Sequence, residues 1–384
     1  MPVGSATDEI RRAVMTQTLL QAERFRHAFE PGATPRTIYI GGGTPSVLPQ
    51  RELRELLQPF HEAKPSEWTV EANPESLDPE FLAACAEAGV TRISLGIQCM
   101  EEKLLRSIGR PGSLNDTNEA LELVRRGWGG DLNLDFIAGV PGQSTQGIRE
   151  EMSILGSIRP AHVSLYSLTL EPETPLARLV GKGEIVPNSA AIDEELWFTG
   201  KQELESRGYS HYEISNFCAP GKECRHNLGY WRLEPYAGAG PAAVSTLPGA
   251  VAARILERPD LEGRQVVRLA NPRDIDRFLA GWEARWGIEV DVVRAADFLI
   301  ENLMMGFRLA EGVPSSRIER RFGRRFEELF PGMWKRWISA GFAFEGREVL
   351  RLSEHGRLML DGLMKEIVAV AKGGTLPPLK LNWP

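Results

Sequence analysis

The sequence predicts an α/β fold: a parallel sheet wound in βα units into a partial barrel, followed by a helical, winged-helix-like C-terminal domain. Three observations predict it. Strand-like and helix-like stretches alternate with a short period from Thr37 to Ile214, and parallel strands need crossovers of that kind. Polar residues collect at the carboxyl ends of the strand-like stretches, where barrels carry their sites. From Ala296 onward the pattern becomes three helices, a small hairpin and a final helix.

Taken in order, Asp8 to Phe29 has Ile10, Val14, Leu19, Leu20 and Phe25 near one face, which predicts an amphipathic helix ended by Pro31-Gly32. Thr37–Ile40 reads as a strand and Gln50–Phe60 as the helix after it. Glu67–Ala72 is the next strand, broken by Asn73-Pro74, and Asp78-Pro79 opens a helix to Ala88. Strands Arg92–Ile97, Leu132–Ile137, His162–Leu168 and Tyr209–Ile214 alternate with helices Asn115–Arg126, Ser144–Ile158 and Ala191–Gly208. Val251–Leu269 reads as a short β region and Asn271–Trp286 as helical. Helices follow at Ala296–Leu309, Pro314–Phe322 and Arg325–Ala340, then a hairpin-like Phe342–Leu352 and helix Ser353–Val370. The organisation expected is a barrel over 1–235, a linker with a small β/helical region over 236–295, the C-terminal domain over 296–372 and a loose tail over 373–384.

Composition narrows the function. The 384 residues carry a net charge of −7 with a pI near 5.6, so no global field favours nucleic acid or an anionic membrane. Between Ser315 and Arg336 seven Lys/Arg face three Glu; in an acidic chain a solvated or docking face is expected there rather than DNA binding. No run reaches the length of a membrane span and the N-terminus has no apolar signal core. Four cysteines make no disulfide framework, which points to a reducing cytoplasm.

The strand ends carry the chemistry. Thr37–Ile40 runs into Gly41-Gly42-Gly43-Thr44-Pro45-Ser46. Consecutive glycines at the end of a strand leave the main chain open to close approach by a ligand. Glu71 and Asn73, Gln98, Asp135, and Tyr166 with Ser167 end the following strands. Buried carboxylates need partners or a ligand, and one shared ligand site explains several of them together.

The ordered set GGGTPS, VEANPE, SLGIQ, IGRPGS, LDFIAGVPGQ, LYSLTLEPETPL, YEISNFCAPGKECRHNLGYW and ENLMMGFRLAEGV resembles the oxygen-independent coproporphyrinogen oxidase-like radical SAM proteins, and within them the heme chaperone branch. The resemblance covers nearly the whole chain. It implies a partial (β/α)6 radical SAM-type barrel, here without its first strand, followed by the C-terminal domain. It further implies that Gly42, Gly43 and Thr44 contact S-adenosylmethionine, with Glu71, Gln98 and Asp135 as polar ligands. Arg110 would pair with the carboxylate of S-adenosylmethionine in bidentate fashion. His226, in His226-Asn227-Leu228-Gly229-Tyr230-Trp231, matches the branch's HNxxYW signature and would be an axial heme ligand. Heme and heme-accepting proteins are the partners implied.

The resemblance also implies a [4Fe-4S] cluster on a C-x3-C-x2-C motif, and the chain contains no such motif. Cys85, Cys99, Cys218 and Cys224 match none of its positions, so no radical chemistry is expected from the chain as it stands. A sequence that begins just downstream of the cluster loop, through a late start codon or clipping, is the expectation; a cluster-less paralogue is the other reading. A cytoplasmic heme chaperone is thus the leading function. Coproporphyrinogen III oxidase, by radical decarboxylation, is the alternative, and a transcription regulator on the winged helix the third.

Overall fold

The computed structural model describes residues 8–30, 32–172, 174–346, 348–374 and 376–384. By contact the chain divides into two units. One is Thr34–His226; the other joins helix Asp8–Ala28 to Asn227–Pro384.

The first unit is built on a seven-stranded sheet: β1 Thr37–Ile40, β2 Glu67–Ala72, β3 Arg92–Gln98, β4 Asp131–Ala138, β5 His162–Ser167, β6 Ser210–His211 and β7 Asn216–Cys218. The spatial order is β1-β2-β3-β4-β5-β7-β6, with β1 to β5 parallel. The expected α/β partial barrel is therefore present. One face of each strand is apolar: Trp68 and Val70, Ile93 and Leu95, Leu134 and Phe136, Val163 and Leu165 are all buried in one core with the crossover helices. The helices start where their caps dictate. Asp78 accepts from the Phe81 N–H at 2.6 Å, and Ser113 with Asp116 forms a capping box for Leu114–Gly127.

The sheet does not end in the single strand expected at Tyr209–Ile214. The chain reverses at Glu213, whose carboxylate accepts the Ser215 N–H at 3.3 Å, and the Tyr212 N–H closes the turn on the Asn216 carbonyl at 3.2 Å. The run becomes β6 and β7, both in antiparallel pairings, and β7 pairs antiparallel with β5. At the other side the end of β3 is irregular: the register with β4 shifts between Gly96 and Gln98, and Gln98 takes a φ of 69°.

In the second unit, helix Asp8–Ala28 shares a core with helix Gly249–Leu256 and with β8 Val244–Leu247 and β9 Val267–Ala270; β10 Glu289–Val292 completes an antiparallel sheet in the order β10-β9-β8. The β reading of Val251–Ile255 is corrected here. Val251, Ala252, Ile255 and Leu256 are buried at helical spacing after Pro248. The C-terminal part packs helices Ala295–Gly306, Ser315–Phe322, Met333–Ser339 and Leu360–Lys372 around Phe298, Phe307, Phe322, Trp334 and Trp337. A two-stranded ribbon, β11 Val313–Pro314 with β12 Val349–Leu350, completes it. The expected loose tail is tied down. Trp383 is buried and its indole N–H donates to the Leu233 carbonyl at 2.8 Å; Leu376, Leu379 and Leu381 supply the apolar surface that holds the segment. Among the described residues no helix is long and apolar enough to cross a membrane.

Candidate functional site

The second face of the sheet in the first unit is polar. The register places Thr37 beside Glu67, Thr69 beside Arg92, Glu71 beside Ser94, Ser94 beside Asn133, Asp135 beside Ser164, and Asn133 beside His162. Side chains alternate along a strand, so these residues share one face, and most are buried. Buried polar groups need partners, and Asn133 is the hub here. Its amide donates to Ser94 Oγ at 2.7 Å and Asp135 Oδ1 at 2.9 Å, and its carbonyl meets His162 Nδ1 at 2.6 Å. His162 Nε2 meets the Tyr212 hydroxyl at 2.8 Å. Burial, then the charge of Arg92, holds the His162 pKa well below the usual histidine range, so this imidazole is neutral.

At the carboxyl ends of the strands this face opens onto the glycines. Gly42 has a φ of 83°, and its N–H donates to Glu71 Oε2 at 3.1 Å. A Cβ on Gly41 would fall 2.4 Å from Glu71 Cδ, so only glycine lets the carboxylate lie on that backbone. The Tyr39 hydroxyl donates to Glu71 Oε1 at 2.6 Å. Burial raises the Glu71 pKa, against the Tyr39 and Gly42 hydrogen bonds that lower it. Asp135 is likewise raised by burial and drawn back by donors on Ser164, Ser94 and Asn133 and by the charge of Arg110. Asn73 joins the remaining residues. Its amide donates to Thr44 Oγ1 at 3.3 Å, and its carbonyl accepts from Arg110 Nη1 at 3.4 Å. A Cβ on Gly96 would meet both Gln98 Nε2 at 2.8 Å and Asn73 Oδ1 at 3.1 Å. The structure thus brings Gly42, Thr44, Glu71, Gln98, Arg110 and Asp135 to one end of the sheet, with Gly43 between the first two. Two half-buried carboxyls, one guanidinium and bare glycine backbone suit a ligand carrying an ammonium, a carboxylate and hydroxyls.

His226 stands one residue away from that set. Its ring stacks on Tyr39, with centroids 5.2 Å apart and planes at 23°, and its Nδ1 meets Thr37 Oγ1 at 2.9 Å. Glu67 holds the segment by its backbone: Oε1 accepts from the His226 N–H at 2.9 Å and Oε2 from the Arg225 N–H at 3.0 Å. The anion sits at the start of helix Arg225–Trp231, where the helix dipole favours negative charge. Burial lowers the His226 pKa, with Glu67 opposing, which favours the neutral imidazole a metal ligand requires. Tyr39, Thr37, Glu67 and Asn133 were not singled out from sequence. The signal was present as period-two polarity in EWTVEA, RISLGIQ and DLNLDFIA.

The cysteines do not fit a cluster. Cys85 lies on helix Pro79–Ala88 in the apolar core, and Cys99 packs with Leu104, Leu105 and Val140. The Cys224 thiol donates to Glu67 Oε1 at 3.2 Å. Burial pushes the thiols of Cys85 and Cys99 up to about 12 and that of Cys218 to about 11, the opposite of what a thiolate ligand needs. Among the described residues no three His, Cys, Asp or Glu side chains group as a metal site.

The chain is similar to known proteins. Residues 13–154 match the model of the Radical SAM superfamily, and residues 293–359 that of the HemN C-terminal domain. The heme chaperone HemW of Bacillus subtilis (strain 168) is 30% identical over 334 residues, covering 84% of this chain and 83% of that protein. The heme chaperone HemW of Escherichia coli (strain K12) is 31% identical over 348 residues, covering 89% and 86%. The solved coproporphyrinogen III oxidase (HemN) from Escherichia coli, a radical SAM enzyme, superposes with a TM-score of 0.72 over 94% of this chain and 84% of that one, at 16% identity. That last likeness is one of fold.

Proposed function

Because the chain belongs to the heme chaperone HemW family, we propose that it binds heme through His226 and hands it to acceptor proteins. The carrying observation is the setting of His226. Ligation through Nε2 needs the proton on Nδ1, and Thr37 Oγ1 at 2.9 Å is an acceptor that would hold that tautomer. Tyr39 fixes the plane of the ring from one side. Superfamily membership implies S-adenosylmethionine and a [4Fe-4S] cluster. The donor set at the strand ends fits the first: Gly42, Gly43 and Thr44 would face its amino-acid part, Arg110 its carboxylate, and Glu71, Gln98 and Asp135 its hydroxyls and ammonium. When bound beside a reduced cluster, this cofactor supplies a carbon radical. The residues of this chain do not fit the cluster, and binding is the role they support. The oxidase reading has the fold likeness and the match to the HemN C-terminal domain behind it, whereas the relatives similar over most of the chain are heme chaperones.

The test is a titration with ferric heme followed by absorbance. The parent chain is expected to give a saturable Soret shift, and His226→Ala to lose the histidine-ligated spectrum. Unchanged binding and an unchanged spectrum in that variant would overturn the ligand assignment.

A further inference from the structure

One side chain of β1, Tyr39, touches both sets of functional residues in the unit Thr34–His226. Its hydroxyl donates to Glu71 Oε1 at 2.6 Å, and among the described residues it makes no other hydrogen bond. Its ring stacks on that of His226, with centroids 5.2 Å apart and planes at 23°. The side chain is 37% exposed, and β1 is the end strand of the sheet order. Core packing does not enclose it, so these two contacts bear directly on where the ring stands.

Glu71 is short of donors. Among the described residues its oxygens take two, the Tyr39 hydroxyl and the Gly42 N–H at 3.1 Å, where an ionised carboxylate has about four acceptor positions. Burial raises its pKa in spite of both bonds. A ligand's ammonium or hydroxyls can therefore fill the open positions without displacing Tyr39. A carboxylate gripped by a ligand, by Gly42 and by Tyr39 has one orientation left to it. Gly41 keeps it against the backbone, since a Cβ there would fall 2.4 Å from Glu71 Cδ. That order passes to Tyr39 through the 2.6 Å bond, and from its ring to the imidazole.

We propose that Tyr39 is a positioning residue for His226 whose hold depends on what occupies Glu71, so that S-adenosylmethionine at the strand ends strengthens the ligation of heme by His226. This rests on the reading that His226 ligates heme. The two ligands need not touch. A ligand that fixes Glu71 and Tyr39 removes freedom that heme would otherwise have to remove on binding, and the second ligand then binds more tightly. The linkage acts in both directions: heme tightens S-adenosylmethionine by the factor by which S-adenosylmethionine tightens heme.

The experiment titrates the full chain with ferric heme, followed by absorbance, with and without saturating S-adenosylmethionine, using the parent, Tyr39→Phe and His226→Ala. In the parent, S-adenosylmethionine should tighten heme by about fivefold, and calorimetry in the presence of heme should show S-adenosylmethionine tightened by the same factor. Tyr39→Phe keeps the ring and removes the hydroxyl, so the ratio of its two heme affinities should fall to about one. A hydroxyl with a merely structural role would lower both affinities together and leave the ratio at the parent value. The proposal is overturned by a parent whose heme affinity is unchanged or weakened by S-adenosylmethionine, by a parent that binds no S-adenosylmethionine, or by a Tyr39→Phe chain that keeps the parent ratio. The parent titrations decide the linkage without any variant, so a Tyr39→Phe chain that misfolds does not remove the test. The His226→Ala arm separates the two readings. If that variant loses the histidine-ligated spectrum while S-adenosylmethionine has no effect on the parent, the heme reading stands and the linkage alone fails. If it binds as the parent does, with the parent's spectrum, the ligand assignment fails and the linkage fails with it.

Discussion

Glu67 is the residue at which the setting of His226 can be broken most directly. It is 5% exposed, and its two oxygens take four donors. Oε1 accepts from the His226 N–H at 2.9 Å and the Cys224 thiol at 3.2 Å; Oε2 accepts from the Arg225 N–H at 3.0 Å and Arg92 Nη2 at 3.3 Å. Glu67→Gln keeps the size and replaces one acceptor oxygen by a donor. The amide oxygen can serve one pair of donors, and the other pair then faces an N–H. Each buried donor left unmet costs about 1–3 kcal/mol. Arg92 suffers further. Its next carboxylate, Asp131, is 3.9 Å away, and its Nε and Nη1 already lack partners among the described residues. Breaking a buried ion pair from one side costs about 3–5 kcal/mol, a figure that overlaps the lost donors because Arg92 is one of them. The expected destabilisation is therefore about 3–5 kcal/mol. Urea denaturation at pH 7, followed by circular dichroism, measures it. The first turn of helix Arg225–Trp231 also loses its anion, so heme affinity should fall in the same variant under conditions where it remains folded. A stability within about 0.5 kcal/mol of the parent, or full heme affinity, would refute the claim that Glu67 holds this segment.

Two further outcomes are expected. Gly41→Ala puts a Cβ 2.4 Å from Glu71 Cδ, so the carboxylate must leave Tyr39 and Gly42; S-adenosylmethionine affinity by calorimetry should fall about tenfold or more, and an unchanged value would remove Glu71 from the pocket. Burial raises the Glu151 carboxyl to about 7, against the Met100 N–H and Gln143 that lower it. A raised carboxyl contributes stability that is full below its unfolded value and is lost as pH rises through 7. The parent should therefore lose about 1 kcal/mol between pH 6 and 8 that Glu151→Gln does not, and parallel urea midpoints for the two proteins across that range would contradict this.

Strands β1 to β5 lie within a residue of where the sequence puts them, because each is a short stretch with apolar residues at every second position bounded by turn residues. The strand-end residues Glu71, Gln98 and Asp135 were legible for the same reason: the fold class says which end of a strand carries a site. What stayed hidden was the polar face. Alternating polarity ordinarily means a solvent face, whereas here Glu67, Thr69, Arg92, Ser94, Asn133, His162 and Ser164 are all buried. No spacing rule links Thr37 to His226 across 189 residues, or Glu67 to Cys224 across 157. The β6–β7 reversal is closed by the Tyr212 N–H on the Asn216 carbonyl and by the Ser215 N–H on the Glu213 carboxylate, bonds that no residue period announces. The tail looked loose because it has no helical or strand period; its order comes from Trp383 and three leucines packed one by one.

Strand β1 is where the two candidate sites meet. Thr37 and Tyr39 point to the same face, two residues apart. Thr37 binds the imidazole of His226, while Tyr39 binds both that ring and Glu71. The imidazole therefore has two supports from one strand, and removing either leaves the other. Thr37→Val forfeits one neutral hydrogen bond of about 1 kcal/mol, and Tyr39→Phe retains the stacked ring. Neither substitution removes the bonds by which Glu67 accepts the backbone N–H groups of Arg225 and His226. A variant at β1 thus tests the orientation of the ring, and one at Glu67 tests whether the segment carrying it is held at all.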